Sequence, residues 1–118
     1  MGKNQESGAR GEERAATYLL SQGYVILDRN WRVAGGEIDI VAQESDGRVV
    51  FVEVKARRDQ SYGHPLEAIT HQKAQRLRKL ALTWLISHNS WSSPFRIDAV
   101  AIIGTGEEFS LDHRKAIA

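Results

Sequence analysis

The first third of the chain switches between two hydrophobic periods. From about residue 5 to residue 22, apolar positions recur every three or four residues, which is the period of a helix face. That face carries Ala9, Glu12, Ala16 and Leu19. Gly23 follows at a position where helices commonly end. Residues 24–33 are rich in β-branched and aromatic side chains and are therefore predicted to form a strand.

Two further strands are predicted, joined by a short turn. Residues 36–44 alternate with the two-residue period of a strand. One face is expected to carry Glu37, Asp39 and Val41, and the other Ile38, Ile40 and Ala42. Ser45-Asp46-Gly47 is a turn signal, and residues 48–57 contain the apolar run Val49-Val50-Phe51-Val52. Because this run is apolar on both faces, we expect a buried central strand.

The second half of the chain completes a mixed α/β domain. After a loop over residues 58–64, Pro65 suits the first turn of a helix that we expect to continue to about residue 88. The apolar face of that helix is predicted to carry Leu66, Ile69, Lys73, Leu77, Leu80 and Trp84. Residues 95–103 are predicted to form a strand, and residues 107–111 a short final one. The order αβββαβ, with this additional strand, predicts one domain over residues 1–118 in which a mixed sheet is flanked by helices.

Composition restricts the chemistry that such a domain can carry. The 118 residues are 42% apolar, which is enough for a core, and include no cysteine. The four histidines lack the spacing of a zinc site, so a bound metal would be held by oxygen, which suits Mg²⁺ or Mn²⁺. With no cysteine, no apolar leader and no apolar run long enough to cross a bilayer, the cytoplasm is the expected location.

The positions of three polar residues depend on the register of the predicted hairpin. Glu53 and Lys55 lie two apart on a strand and therefore share a face. If the loop is Ser45-Asp46-Gly47, with Gly47 in the left-handed conformation, Asp39 lies directly opposite Glu53, with Cβ atoms roughly 5 Å apart. If the loop is the two-residue turn Asp46-Gly47, the register shifts by one and the two acids face opposite sides. The sequence leaves both registers open.

Two carboxylates directly opposite each other repel, and a cation between them would relieve that repulsion. A hard divalent ion bound by two carboxylates, water and a phosphate oxygen fits such a site. The ion would activate water and stabilise charge on the phosphate, and Lys55 would add a positive charge beside the reacting group. The first register therefore predicts a phosphodiester-hydrolysing site made by Asp39, Glu53 and Lys55.

Several segments resemble a known nuclease superfamily. Gly36-Glu37-Ile38-Asp39-Ile40 and Phe51-Val52-Glu53-Val54-Lys55 are similar to the motifs of the PD-(D/E)xK superfamily. With Gly8-x-x-Gly11-Glu12-x-x-Ala15 and Arg96-Ile97-Asp98, they more closely resemble the small bacterial YraN-like family, which is related to Holliday-junction resolvases and restriction-type endonucleases. The resemblance covers most of the chain and implies a restriction-endonuclease-like αβββαβ core. Ile38 stands where the superfamily has a proline before the first acid.

The resemblance also implies roles for individual residues. Asp39 and Glu53 would be ligands of Mg²⁺ or Mn²⁺, Lys55 would be the catalytic lysine, and Val54 would offer its backbone carbonyl to the metal. Glu12, which interrupts the apolar face of the first helix, would lie near the metal, as a glutamate on the first helix does in related resolvases. The alternative for Glu12 is a flanking position or an ion pair with neighbouring arginines.

Positive charge concentrates after the predicted catalytic strand. Residues 55–79 contain seven basic and two acidic side chains, a net charge of +5, whereas the whole chain carries +1. The candidates for phosphate contacts are Arg57, Arg58, Lys73, Arg76 and Lys79. The alternative is a solvated helix face, on which Lys73 packs its stem against the apolar stripe while its amine reaches water. Arg96 and Asp98, two apart on a strand, predict a structural ion pair.

The sequence therefore predicts a metal-dependent endonuclease that hydrolyses phosphodiester bonds in structured DNA. A homodimer would suit this activity, because cutting two strands requires two sites. One alternative is a nucleic-acid-binding module that keeps the nuclease fold without useful turnover. A third hypothesis is a protein-interaction adaptor, which would bind neither DNA nor a divalent ion.

Overall fold

The computed structural model of the protein describes residues 2–118, with side chains from residue 9 onward. The helices and strands follow in the order α1 (Gly2–Ser21), β1 (Val25–Val33), β2 (Gly36–Gln43), β3 (Val49–Arg57), α2 (His71–Ser87), β4 (Phe95–Thr105) and β5 (Glu108–Arg114). A short 3-10 helix, Pro65–Ala68, precedes α2. Within this described part of the chain, neither α-helix has the length and apolar composition needed to span a membrane.

The five strands form one mixed sheet in the spatial order β1-β2-β3-β4-β5. β3 and β4 are parallel, and every other neighbouring pair is antiparallel. The connection between the parallel strands contains α2, because a parallel pair needs a crossover long enough to return along the sheet. The mixed sheet, the flanking helices and the predicted αβββαβ order are thus confirmed, and β5 is the additional final strand.

Each face of the sheet is covered by one helix. The strand residues buried under α1 are Ile40, Ala42, Val50, Val52, Val100 and Ile102. Those buried under α2 are Ile38, Val41, Val49, Phe51 and Ile97. β3 is the central strand and is buried on both faces over its first four residues, as its apolar run predicts. From Glu53 onward β3 is partly exposed, so its polar half emerges from the core.

The helix predicted over residues 65–88 consists of two elements. The 3-10 helix ends before Thr70, and the Thr70 side chain begins α2 by accepting a hydrogen bond from the Lys73 amide at 3.2 Å. This break changes which residues face the core: α2 buries Ala74 and Leu77, whereas Lys73 is exposed. The prediction that Lys73 lies on one apolar stripe running through both elements is therefore wrong.

The β2–β3 hairpin has the three-residue loop that sets Asp39 opposite Glu53. The loop is Ser45-Asp46-Gly47, and Gly47 has a φ of 94°, which is the left-handed conformation. The paired residues run from Gln43↔Val49 to Ile40↔Val52. One further step in this register sets Asp39 opposite Glu53, so the first of the two predicted registers is confirmed.

Candidate functional site

The alternation of β2 breaks at Asp39. Ile40 packs under α1 and Val41 under α2, as alternation requires, but Ile38 also packs under α2. On β1, the residue between the partners of Ile38 and Ile40 is Asn30, which has a φ of 52°. A left-handed residue interrupts the pleat of a strand, and this interruption lies directly beside Asp39. The strict alternation predicted for residues 37–42 is therefore wrong at this position.

The Asp39 side chain connects β2 to β3 where the backbone pairing stops. Asp39 is buried, with 8% of its surface exposed. Its Oδ2 accepts a hydrogen bond from the Val54 amide at 2.8 Å. Backbone pairing between β2 and β3 ends just before this point, at Ile40 and Val52. The hydrogen bond therefore fixes the carboxylate against β3, beside Glu53.

Glu53 is partly buried and lies against Asp39. Burial, a hydrogen bond with Asp39 and the negative charge of Asp39 raise the pKa of Glu53 from 4.5 to about 8, while the positive charge of Lys55 acts in the opposite direction. Two carboxyl groups in contact cannot both ionise without a counter-charge, so the metal-free protein retains a proton on the pair at neutral pH. A divalent cation can take the place of that proton, because metal ligands release protons when they bind.

Glu12 approaches the same region from α1. Its Oε1 is buried and has no hydrogen-bond partner among the described residues. Burial raises the pKa of Glu12 and the negative charge of Asp39 raises it further, whereas Arg29 lowers it. A buried carboxylate oxygen without a donor is unfavourable. A positively charged ligand at Asp39 would therefore stabilise Glu12 as well.

Gly11 determines how closely α1 approaches β3. A Cβ atom at residue 11 would lie 2.6 Å from the Cβ of Ala56. Real Cβ atoms do not approach so closely, so this helix and this strand can pack at their present distance only with glycine at residue 11. The close packing accompanies the position of Glu12, the next residue, within electrostatic reach of Asp39.

The acids provide part of a site for an oxygen-preferring cation. Asp39 and Glu53 offer two carboxyl groups in contact, and Glu12 lies within electrostatic reach of Asp39. Within the part of the chain whose side chains are described, no three acidic or histidine side chains already converge into a complete metal site. Mg²⁺ often binds one or two carboxylates and completes its shell with water and substrate phosphate oxygens, so the pair fits this ion.

The other residues predicted for the site take different positions. Lys55 is partly exposed and close enough to Glu53 to influence its pKa. Val54 donates its amide to Asp39. The five cations predicted to contact phosphate are all exposed: Arg57, Arg58, Lys73, Arg76 and Lys79. The structure therefore brings Glu12, Asp39, Glu53 and Lys55 into one region and leaves these five cations on the surface of β3, the following loop and α2.

Two further cations near the end of β3 were not predicted as functional residues from the sequence. Arg10 and Arg14 lie one turn apart on α1 and line a cleft together with Arg57 and Arg58. Their four-residue spacing is visible in the sequence and places them on one side of a helix. They face the end of β3 because α1 packs on β3, and the spacing of the two arginines in the sequence does not show this packing.

A second polar cluster surrounds the fully buried Asp98. Arg96 donates to its carboxylate through Nε at 2.7 Å and Nη2 at 2.9 Å, His113 Nε2 lies 2.7 Å away, and the Ala116 amide donates at 3.1 Å. Burial alone would raise the pKa of Asp98, but the hydrogen bonds from His113, Arg96 and Ala116 hold it below its ordinary value. Arg96 also contacts Glu44 at 2.8 Å. The predicted Arg96–Asp98 ion pair is confirmed, and His113 is an additional partner beyond the predicted final strand.

Comparison with known proteins identifies the family of the chain. The model of the Uncharacterised protein family UPF0102 matches residues 11–102. A UPF0102 protein of Renibacterium salmoninarum is 50% identical over 113 residues, which are 95% of each chain. A UPF0102 protein of Nocardia farcinica is 42% identical over 118 residues, which are 99% of this chain and 92% of that one. Among solved structures, "Structure of EndoMS-dsDNA2 complex" matches 81% of this chain and 38% of that one, with 19% identity and a TM-score of 0.40. The chain belongs to the UPF0102 family.

Proposed function

We propose that this protein is a metal-dependent nuclease that hydrolyses phosphodiester bonds in structured DNA with Mg²⁺ or Mn²⁺. The observation that carries the proposal is the contact between the carboxyl groups of Asp39 and Glu53, which the Val54 amide holds in place. This contact opposes ionisation in the metal-free protein, and strongly perturbed acids of this kind concentrate at functional sites. A divalent cation bound between the two groups removes the conflict.

Each residue around the pair has a role in this proposal. Asp39 and Glu53, both ionised, would hold the cation, and Glu12 and the Val54 carbonyl would complete the protein's share of the ligands. When bound, the ion supplies positive charge to the phosphate oxygens and favours ionisation of water. Lys55, whose charge already influences Glu53, donates hydrogen bonds to the phosphate as negative charge accumulates on it.

The proposed substrate class rests on the surface around the pair. The exposed cations of β3 and α2 offer contacts to a phosphate backbone. Tyr62, fully exposed in the loop after β3, offers a ring on which an unstacked base can stack. Unpaired and branched DNA presents such bases, whereas a regular duplex does not. Together with the resemblance to resolvase motifs, this favours structured DNA, and cutting both strands would require a homodimer.

Ion binding is tested by isothermal titration of Mn²⁺ into the wild-type protein and into Glu53→Gln. We expect saturable binding to the wild type and its loss in the variant, because the pair then has a single carboxylate. The matched control is Glu108→Gln, which removes an exposed acid at the start of β5 and leaves the pair intact. Equal Mn²⁺ binding by wild type and Glu53→Gln would contradict the proposed ligand set.

Turnover is tested with a labelled four-way DNA junction and a regular duplex, each with Mg²⁺, Mn²⁺ or chelator. We expect metal-dependent cutting of the junction, lowered about 100-fold or more in Asp39→Asn, Glu53→Gln and Lys55→Ala. Glu108→Gln should cut as the wild type does. Junction binding without metal-dependent cutting would instead indicate a nucleic-acid-binding module, and equal cutting by all variants would indicate a contaminating nuclease.

A further inference from the structure

A cleft lined by four arginines lies between α1, the end of β3 and the turn that joins β4 to β5. Its cationic walls are Arg10 and Arg14 from α1 and Arg57 and Arg58 from the end of β3. The floor includes Gly104 and Gly106, and the space measures about 370 Å³ including the part open to solvent. No acidic side chain is among the described residues that line it. Four like charges facing one space repel each other, and an anion in that space would relieve the repulsion.

Arg14 is held in position for such a ligand. Its guanidinium carbon lies 4.3 Å from the centre of the Phe109 ring, and Nη2 donates a hydrogen bond to the Gly106 carbonyl. An arginine that is already stacked and hydrogen-bonded loses little further side-chain freedom when it binds. Arg10 lies one helical turn away and joins it on the same side of α1.

The ends of β3 and β4 complete the cleft. Arg57 and Arg58 are consecutive, and Arg57 Nη1 donates a hydrogen bond to the Ala56 carbonyl at 2.9 Å, which holds this guanidinium against the end of β3. A Cβ at Gly106 would meet no atom within 4 Å, so the turn leaves open space there beside the guanidinium groups. Guanidinium groups bind phosphate through paired hydrogen bonds, which makes phosphate the anion that matches these walls.

We propose that this four-arginine cleft binds a backbone phosphate of nucleic acid at a position separate from the Asp39–Glu53 pair. Arg57 follows Glu53 by four residues on an extended strand, which corresponds to about 13 Å. Phosphates of one strand advance about 3.4 Å each along a duplex axis, so the cleft holds a phosphate roughly four nucleotides from the pair. Naming nucleic acid as the source of the phosphate rests on the proposed function, whereas the affinity for a phosphate group follows from the cleft itself.

The test is binding of a fluorescein-labelled DNA junction, measured by anisotropy in chelator over a series of salt concentrations. Arg10→Gln and Arg14→Gln should each weaken binding by about tenfold. Each should also make the negative slope of log affinity against log salt less steep by about 0.9, the value for one lost phosphate contact. The matched control is Arg114→Gln, which removes an exposed cation at the opposite end of β5 and should change neither quantity.

Two further measurements distinguish loss of a phosphate contact from misfolding, and nucleic acid from free phosphate as the ligand. Arg14→Lys keeps the charge at this position, so it should keep the wild-type salt slope even if the stacking on Phe109 is lost. Wild-type affinity and slope in both glutamine variants would overturn the proposal. Saturable binding of inorganic phosphate by the wild type, without affinity for the junction, would overturn the assignment to nucleic acid. Since the binding assay is done in chelator, loss of binding in these variants supports the cleft even if the wild-type protein shows no metal-dependent cutting of the junction.

Discussion

Replacing Glu53 with glutamine should stabilise the metal-free protein while removing its affinity for a cation. The folded protein raises the pKa of Glu53 from 4.5 to about 8, first through burial and then through the contact with Asp39. At pH 7 the folded state therefore keeps a proton that the unfolded chain has released. Glutamine is neutral at every pH and can still donate a hydrogen bond to Asp39, so it avoids this cost.

The size of the effect follows from proton linkage. Between pH 4.5 and pH 7 the folded state of the wild type is penalised by about 1.4 kcal/mol per pH unit, which gives at most about 3 kcal/mol at pH 7. Because the folded-state pKa is the higher one, this penalty is absent below pH 4.5, grows as the pH rises and levels off above about pH 8. Glu53→Gln should therefore gain stability over the wild type across this window.

The measurement is urea unfolding in chelator, followed by tryptophan fluorescence at several pH values from below 4.5 to above 8. Trp84 is buried against Phe51 and reports the loss of the core. Glu108→Gln, on the exposed start of β5, controls for removal of an acid as such. A glutamine variant that is less stable than the wild type at pH 7, or a stability difference that does not change with pH, would refute the reasoning.

Two further substitutions test the packing that supports the site. Gly11→Ala should destabilise the fold by about 1–3 kcal/mol, because the new Cβ would lie 2.6 Å from the Cβ of Ala56. The control is Gly35→Ala, whose Cβ meets only a Leu80 methyl at 3.8 Å and which should be nearly neutral. Equal melting temperatures of the two variants would contradict this account. Asp98→Asn should cost about 2–3 kcal/mol at neutral pH because the largely buried guanidinium of Arg96 loses one of its two carboxylate partners and keeps only Glu44. Since the pKa of Asp98 is held below 3.8, this deficit should shrink only as the pH falls below that value, and a deficit that disappears already at pH 5–6 would show that the ion pair is not its cause.

The hairpin could be predicted because its determinants are local. Gly47 suits the left-handed position of a three-residue loop, and the apolar run after it matches a central strand, so the register that sets Asp39 opposite Glu53 is one of the two that the sequence allows and the one that the structure has. The break in alternation at Asp39 could not be predicted in the same way. The sequence of residues 37–40 alternates regularly between polar and apolar side chains. The residue that interrupts the pleat is Asn30 on β1, and only the pairing of β1 with β2 shows that it lies beside Asp39.

The second helix and the arginine cleft show two other limits of sequence reasoning. Pro65 favours a helix start and the apolar spacing continues past residue 69, so the sequence pattern fits one long helix. It therefore does not indicate that Thr70 begins a second helix. Arg10 and Arg14 meet Arg57 only because Gly11 lets α1 approach β3 closely. Contacts between elements that are distant in the chain depend on such packing distances, which neither periodicity nor charge counts contain.

The hydrogen bonds around Asp98 unite segments that are far apart in the chain. Arg96 reaches Glu44 beside the hairpin loop, and His113 reaches the Tyr18 hydroxyl on α1 at 2.8 Å. Opening any one of these segments breaks bonds that belong to the others, so this half of the sheet should unfold as a single cooperative unit with slow amide exchange. Beyond Ile40, where the backbone pairing of β2 and β3 stops, the hydrogen bond from the Val54 amide to Asp39 joins the two strands, and this end of the sheet can adjust its shape to an incoming ligand while the rest stays folded.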